Sequence, residues 1–279
     1  MAPVPGYSDI GKAVNDVLKG SAKSGAFQLD NKVTYSGSTS TGLNATLSAV
    51  AVGDKVLPTL KAAYAKAGYS ADCTFDGSSQ KVALSTAAAN VMLPGLRLSG
   101  NVTLPDTNSA KFQAEYAFPF LTTKATVQLT SSPVLELVAS TGLKDIVVGV
   151  EVAFDTAKNM VSKHNVAVGY HAPDFQMAIS ILDKLQTVKV GYTHNVNPTT
   201  RVAAEINRKL ASGDTSVTLG YAKLLASGAS AKFKIDNTGL LSALYETKLT
   251  SGEKVASSFQ LFATDLSKPL KYGFAVDLS

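Results

Sequence analysis

Hydrophobic and polar positions follow two periods along this chain, and the change between them is abrupt. Near the N-terminus the period is helical. Tyr7, Ile10, Val14, Val17 and Leu18 share one face, while Asp9, Lys12, Asp16 and Lys19 share the opposite one. Acid and base alternate along that polar stripe at helical spacing, which supports a helix weakly. The pattern predicts one amphipathic helix over residues 6–19, ended by Gly20, with a short flexible joint at Ser21, Ser24 and Gly25.

After Gly25 the period becomes two and stays there. Apolar Phe27, Leu29, Val33 and Tyr35 alternate with polar Gln28, Asp30, Lys32 and Thr34; Tyr69, Ala71, Cys73 and Phe75 alternate with Ser70, Asp72, Thr74 and Asp76. Leu270, Tyr272, Phe274, Val276 and Leu278 repeat the pattern at the far end of the chain. These are two-faced strands. Turn clusters such as Asp76-Gly77-Ser78-Ser79, Ala172-Pro173-Asp174 and Ser212-Gly213-Asp214 cut the material into pieces of about ten residues. Strand starts fall near residues 26, 43, 55, 69, 80, 95, 109, 121, 133, 144, 164, 174, 186, 198, 214, 228, 238, 253 and 269. The domain organisation read from this is a helix and linker over 1–25, then one barrel over 26–279.

Strand length separates the two architectures that such alternation allows. Soluble strands centre on about five or six residues, whereas a tilted strand crossing a bilayer needs about nine to eleven. The polar face here is mostly Thr, Ser, Asn and Gln with scattered Lys, and the apolar face ends in Tyr or Phe. An apolar exterior, aromatic ends and a polar lumen are the requirements of a transmembrane barrel. Such strands must close on themselves, because an open edge cannot be satisfied in lipid.

Composition narrows the function. The 279 residues are 45% hydrophobic but only 17% charged, and mean hydropathy is +0.11 without any run of about eighteen apolar residues. No secretory signal or Arg-rich presequence is expected at the N-terminus. The formal charge of +5 suits small anionic partners and does not point to nucleic acid as a specific ligand. One cysteine, Cys73, excludes an internal disulfide framework, and the spread of His164, His171 and His194 points to no metal centre. No nucleophile–base grouping or carboxylate pair has a catalytic spacing, so neither an enzyme nor a bound cofactor is expected.

Several stretches carry a family resemblance. The opening Met-Ala-Pro-Val-Pro-Gly-Tyr7-Ser-Asp9-Ile-Gly11-Lys12, then Asp16-Val17-Leu18, the triplet Gly95-Leu96-Arg97, and Asn165-Val166-Ala167-Val168-Gly169-Tyr170 resemble the mitochondrial porins, or voltage-dependent anion channels. Lys234-Ile235-Asp236-Asn237 followed by Ser242-Ala243-Leu244-Tyr245 matches the second half of that family's signature, while Lys223 and Ala226 depart from its first half. The resemblance spans the chain. It implies an all-β membrane protein, a nineteen-stranded transmembrane barrel with its N-terminal helix inside the pore, in the mitochondrial outer membrane. Mitochondrial members of this group are the known odd-numbered exception among barrels, and an odd count makes the first and last strands pair parallel. The related protein-import pore would need a longer N-terminal extension, and a soluble β-rich binding protein is the rival outside the fold.

Strand parity assigns the lumen. Lys32, Lys61, Lys81, Arg97, Lys111, Lys124, Lys189, Arg201, Lys232, Lys234, Lys254 and Lys271 face inward, against Asp30, Asp72, Asp76, Glu115, Glu151, Glu205 and Asp277. Fixed basic charge in a pore wall concentrates anions. Lys12 and Lys19 add to it from the helix. By resemblance, these two contact nucleotide phosphates, loosely, since no Gly-rich phosphate loop accompanies them. By resemblance also, a dinucleotide contact falls on Leu240, Leu241, Ser242, Ser258, Phe259 and Gln260. Cys73 stands on the lipid-facing parity, where many animal relatives carry a Glu. The expected function is a voltage-dependent, weakly anion-selective channel for ions and metabolites, embedded in a lipid bilayer and compatible with homo-oligomers. Nineteen strands spaced about 4.8 Å apart and tilted about 40° give a backbone diameter of roughly 38 Å.

Overall fold

The computed structural model describes residues 4–21 and 25–278. Among them, nineteen strands close into one barrel. In chain order they are β1 Asn31–Ser38, β2 Leu43–Val52, β3 Lys55–Lys66, β4 Tyr69–Asp76, β5 Lys81–Ala89, β6 Leu96–Leu104, β7 Lys111–Ala117, β8 Leu121–Gln128, β9 Val134–Leu143 and β10 Ile146–Asp155. There follow β11 Met160–His171, β12 Phe175–Leu182, β13 Thr187–Asn197, β14 Thr200–Lys209, β15 Thr215–Leu224, β16 Ser230–Asp236, β17 Leu240–Lys248, β18 Lys254–Phe262 and β19 Lys271–Leu278. Each pairs antiparallel with the next. The ring closes where β19 runs parallel to β1, in register from Ala275 opposite Lys32 to Leu278 opposite Tyr35.

Period two explains the two faces. Val33 and Tyr35 on β1, Leu60 on β3 and Phe75 on β4 stand exposed on the outside, while Thr34 of β1 is buried on the inside. A register row of Val202, Tyr221, Phe233, Ala243, Phe259 and Tyr272 crosses six consecutive strands on the outer face. Ring pairs Tyr170–Phe175, Phe175–Tyr192 and Tyr221–Phe233 lie with centroids 5.6, 5.8 and 6.5 Å apart. An apolar exterior with aromatic girdles is the surface a bilayer accepts. Cys73 is exposed on this outer face. No helix among the described residues is long and apolar enough to cross a membrane.

Three expectations need correction. The N-terminal helix is not continuous over 6–19. A 3-10 turn at Tyr7–Asp9 is followed by the α-helix α1, Lys12–Leu18, because Gly11 sits at φ 78°, a left-handed conformation that interrupts helical hydrogen bonding. The first strand begins at Asn31 rather than near 26. Phe27 lies beneath the Lys234 ammonium at 4.5 Å, and the Gln28 carbonyl accepts a hydrogen bond from the Ser258 hydroxyl. Phe27–Asp30 therefore lies on the inner wall of the last strands, where Gly273 leaves room: a Cβ there would come within 2.5 Å of the Leu29 carbonyl carbon. Finally, β11 starts at Met160 rather than near 164, because a register shift opposite Ala153 and Phe154 breaks the alternation in that stretch. Of the expected joint, Ser24 lies outside the described residues. Gly20–Ser21 pairs antiparallel with Gly25–Ala26 across it.

Candidate functional site

The closed barrel encloses a lumen, and the N-terminal segment is seated on its wall. Val14, Val17 and Leu18 of α1 are buried with Ala203 and Ala222; Val4, Ile10 and Tyr7 pack with Val147, Ala167 and Ala178. Burying each aliphatic side chain contributes on the order of 1.5–3 kcal/mol. Small wall residues make the close approach available. A Cβ at Gly149 would come within 2.7 Å of Tyr7 Cδ2, one at Gly191 within 3.0 Å of Val14 Cγ2, and one at Gly220 would collide with Leu18 Cδ2.

Wall side chains also fasten both ends of the segment through its backbone. Thr122 Oγ1 donates to the Val4 carbonyl at 2.7 Å, Ser140 Oγ to the Pro5 carbonyl at 2.8 Å, and Lys232 Nζ to the Asp16 carbonyl at 2.8 Å. Burial pushes the Tyr7 hydroxyl up to about 12, and the Glu151 carboxylate adds to the rise; a hydrogen bond with Asn165 opposes it.

Register places the charged wall residues chosen from the strands on the inner face, except Asp30, which precedes β1. Lys61 lies 3.7 Å from Asp72, and Lys189 lies 2.8 Å from Glu205. Arg97, Glu115 and Lys124 stand opposite one another across β6, β7 and β8, an alternating row. Lys32 of β1 is a half-buried inner residue and Lys111 of β7 an exposed one. On the helix, Lys12 is exposed and 3.2 Å from Asp9, while Lys19 is exposed at the helix C-cap. Lys12 borders a cleft of about 510 Å³ together with Glu115 and Thr122.

Parity reading missed inner residues at strand ends and at the β11 irregularity. Register adds Lys55, Lys163, Lys209 and Lys248 on the basic side and Glu136, Asp155, Asp236 and Glu246 on the acidic side. Four of each sign cancel, so the basic excess stands. Lys163 and Glu151 are 2.6 Å apart, with Glu136 at 3.8 Å from the same ammonium and Asn165 donating to Glu151 at 2.7 Å.

The six residues of the dinucleotide expectation divide. Leu240, Ser242, Ser258 and Gln260 face the lumen, whereas Leu241 and Phe259 fall on the outer parity. A ligand on the inner wall therefore meets only four of them. Ser242 and Ser258 are buried, Ser258 beneath Gln28, and Gln260 Nε2 donates to Ser242 Oγ at 3.3 Å. A cleft of about 720 Å³ lies elsewhere, at the C-terminal end of α1, bordered by Asp16, Arg201, Lys232 and Glu246.

A closed barrel with an apolar girdle, a charged lumen and a wall-seated helix is a diffusion pore in form. The family described as "Eukaryotic porin" matches residues 3–269. The chain belongs to the eukaryotic porins. It is 27% identical over 278 residues to "Mitochondrial outer membrane protein porin 6" of Oryza sativa subsp. japonica, covering 99% of this chain and 98% of the relative. It is 29% identical over 274 residues to "porin 5" of the same species, at 98% and 96% coverage. It is 27% identical over 281 residues to "Mitochondrial outer membrane protein porin of 36 kDa" of Solanum tuberosum, at 100% and 99%. This porin is thus a channel of the mitochondrial outer membrane, and it passes ions and metabolites across the bilayer.

Proposed function

We propose that this porin is a voltage-dependent, weakly anion-selective channel that also passes nucleotides. The observation that carries the reading is the excess of basic over acidic residues on the inner wall, set by strand register. A pore wall of one net sign enriches counter-ions, and water in a wide lumen keeps the preference weak. The helix is the element that gating can move, because it rests on the wall without being a strand of the closed sheet. Nucleotide contact at Lys12 and Lys19 is electrostatic and shallow, since Lys12 is already shared with Asp9. A dinucleotide contact would use Leu240, Ser242 and Gln260 once the Phe27–Asp30 segment gives way.

Recording in a planar bilayer tests the reading. In a salt gradient the reversal potential should have the sign of anion preference and collapse toward zero at high salt, where lumen charge is screened. A cation-preferring open state sinks it.

A further inference from the structure

Lys232 is on the inner face of β16 and, by parity, belongs with the lysines that line the ion path. Its surroundings give it another position. It is only 4% exposed, its ammonium donates to the Asp16 carbonyl at 2.8 Å, and the Asp16 and Glu246 carboxylates lie within its field. Asp16 is in the last turn of α1, where backbone carbonyls have no partner further along the helix. A cation at that end satisfies a carbonyl and complements the helix dipole. Seven residues make a helix too short to persist on its own in water, so it depends on its seat.

We propose that Lys232 is a positioning residue: it caps the C-terminus of the pore helix from the barrel wall and fixes the helix in its docked place, rather than attracting permeant anions. Three features of its place support this. The capping bond comes from outside the helix, so it exists only while the helix is docked. It faces the two hydroxyl-to-carbonyl bonds of Thr122 and Ser140 across the length of the segment, so the segment is fastened at both ends. The bond also borders the cleft of about 720 Å³, the side on which the helix has room to lift. Arg201, exposed in the same cleft and oriented by Asn195 through a bond of 2.8 Å, remains available to the ion path that Lys232 has left.

This inference rests on the porin reading and is tested apart from it. In a Cys73→Ser background, Val17→Cys supplies a reporter at a position that is 1% exposed while the helix is docked. A charged, water-soluble thiol reagent should label it slowly. Lys232→Met should raise the labelling rate about tenfold, in line with the loss of one charge-assisted hydrogen bond. Lys232→Arg should restore protection, which a merely electrostatic lumen charge has no reason to do for the reporter. If Lys232→Met inserts poorly, Lys232→Leu serves in its place, removing both the charge and the donor. Unchanged labelling in the Met or Leu variant would overturn the proposal and return Lys232 to the lumen charges. Failure of the porin reading would look different: no variant, nor the parent, would conduct.

Discussion

Val14 of the pore helix and Gly191 of the wall approach so closely that a Cβ on the glycine would lie 3.5 Å from the Val14 Cβ. That separation is within the range a disulfide spans. In a Cys73→Ser background, Val14→Cys with Gly191→Cys should therefore oxidise readily to an intramolecular bond. The locked channel should conduct with the open-state amplitude and lose voltage-driven closure if closure requires the helix to leave the wall. Reduction should restore it. An absent crosslink would mean that the helix does not rest on β13.

The seat also predicts a response to bulk. Gly220 has no room for a side chain, because a Cβ there meets Leu18 and Val17. Gly220→Leu should displace the C-terminal half of α1 while leaving the barrel closed, since the substituted position faces the lumen. Proteolysis after Lys19 would report the release, expected at several times the parent rate. Far-UV circular dichroism should show unchanged strand content.

Tyr7 gives the helix an alkaline limit. Its hydroxyl is held neutral in the docked state and pushed from 10.0 up to about 12. The docked state thus binds the proton more tightly than the released state. Its contribution is fully present below pH 10 and is lost as pH rises through about 12. Tyr7→Phe removes this dependence. Comparing helix protection in the two proteins between pH 9 and about 12 isolates the effect from lysines, which titrate in both. Identical profiles would show that Tyr7 is ionised as freely in the docked helix as outside it.

How much of this was legible beforehand follows from what periodicity reports. Period two states which side of the wall a residue occupies, so Lys32, Arg97, Lys111 and Lys124 could be placed on the inner face and Cys73 on the outer one. It does not report neighbours. Lys232 and Lys124 have the same parity, yet one caps a helix and the other stands in a charged row. Phe27 alternates like a strand residue, but its ring meets the inner wall instead of lipid, a distinction that only tertiary contact makes. The break at Gly11 was hidden because Ile10 and Val14 keep helical spacing across it. Lys163 was missed because the strand irregularity near Phe154 spoils the count of two.

Charge reversal separates the helix from the wall. Lys12→Glu with Lys19→Glu should move the reversal potential in a salt gradient toward cation preference, because both side chains are exposed in the lumen. Lys61→Ala should do less than Lys111→Ala, since Lys61 is partly compensated by Asp72 at 3.7 Å whereas Lys111 stands between Asn101 and Gln128. If the helix pair moves nothing, the wall sets selectivity alone, and nucleotide contact at Lys12 and Lys19 loses its support.

The closing seam is the last point at which the architecture can be tested by chemistry. β1 and β19 meet in parallel over a short ladder, Lys32 opposite Ala275 and Thr34 opposite Asp277 on the inner face. At one end the ladder gives way to a side chain: the Phe274 amide donates to Asn31 Oδ1 at 3.2 Å. An unpaired amide in lipid costs several kcal/mol, so Asn31 substitutes for the missing strand partner. Thiols at Lys32 with Ala275, and at Thr34 with Asp277, should crosslink in a Cys73→Ser background. Gln28, drawn inward over Ser258, should not join them. The informative quantity is direction. Crosslinking pairs on parallel strands keep a constant difference in residue number, whereas antiparallel pairs keep a constant sum. A constant sum would require an even number of strands and would break the ring described here. Asn31→Leu supplies an independent check: it should leave the Phe274 amide without a partner and speed its hydrogen exchange, with the Val276 amide much less affected.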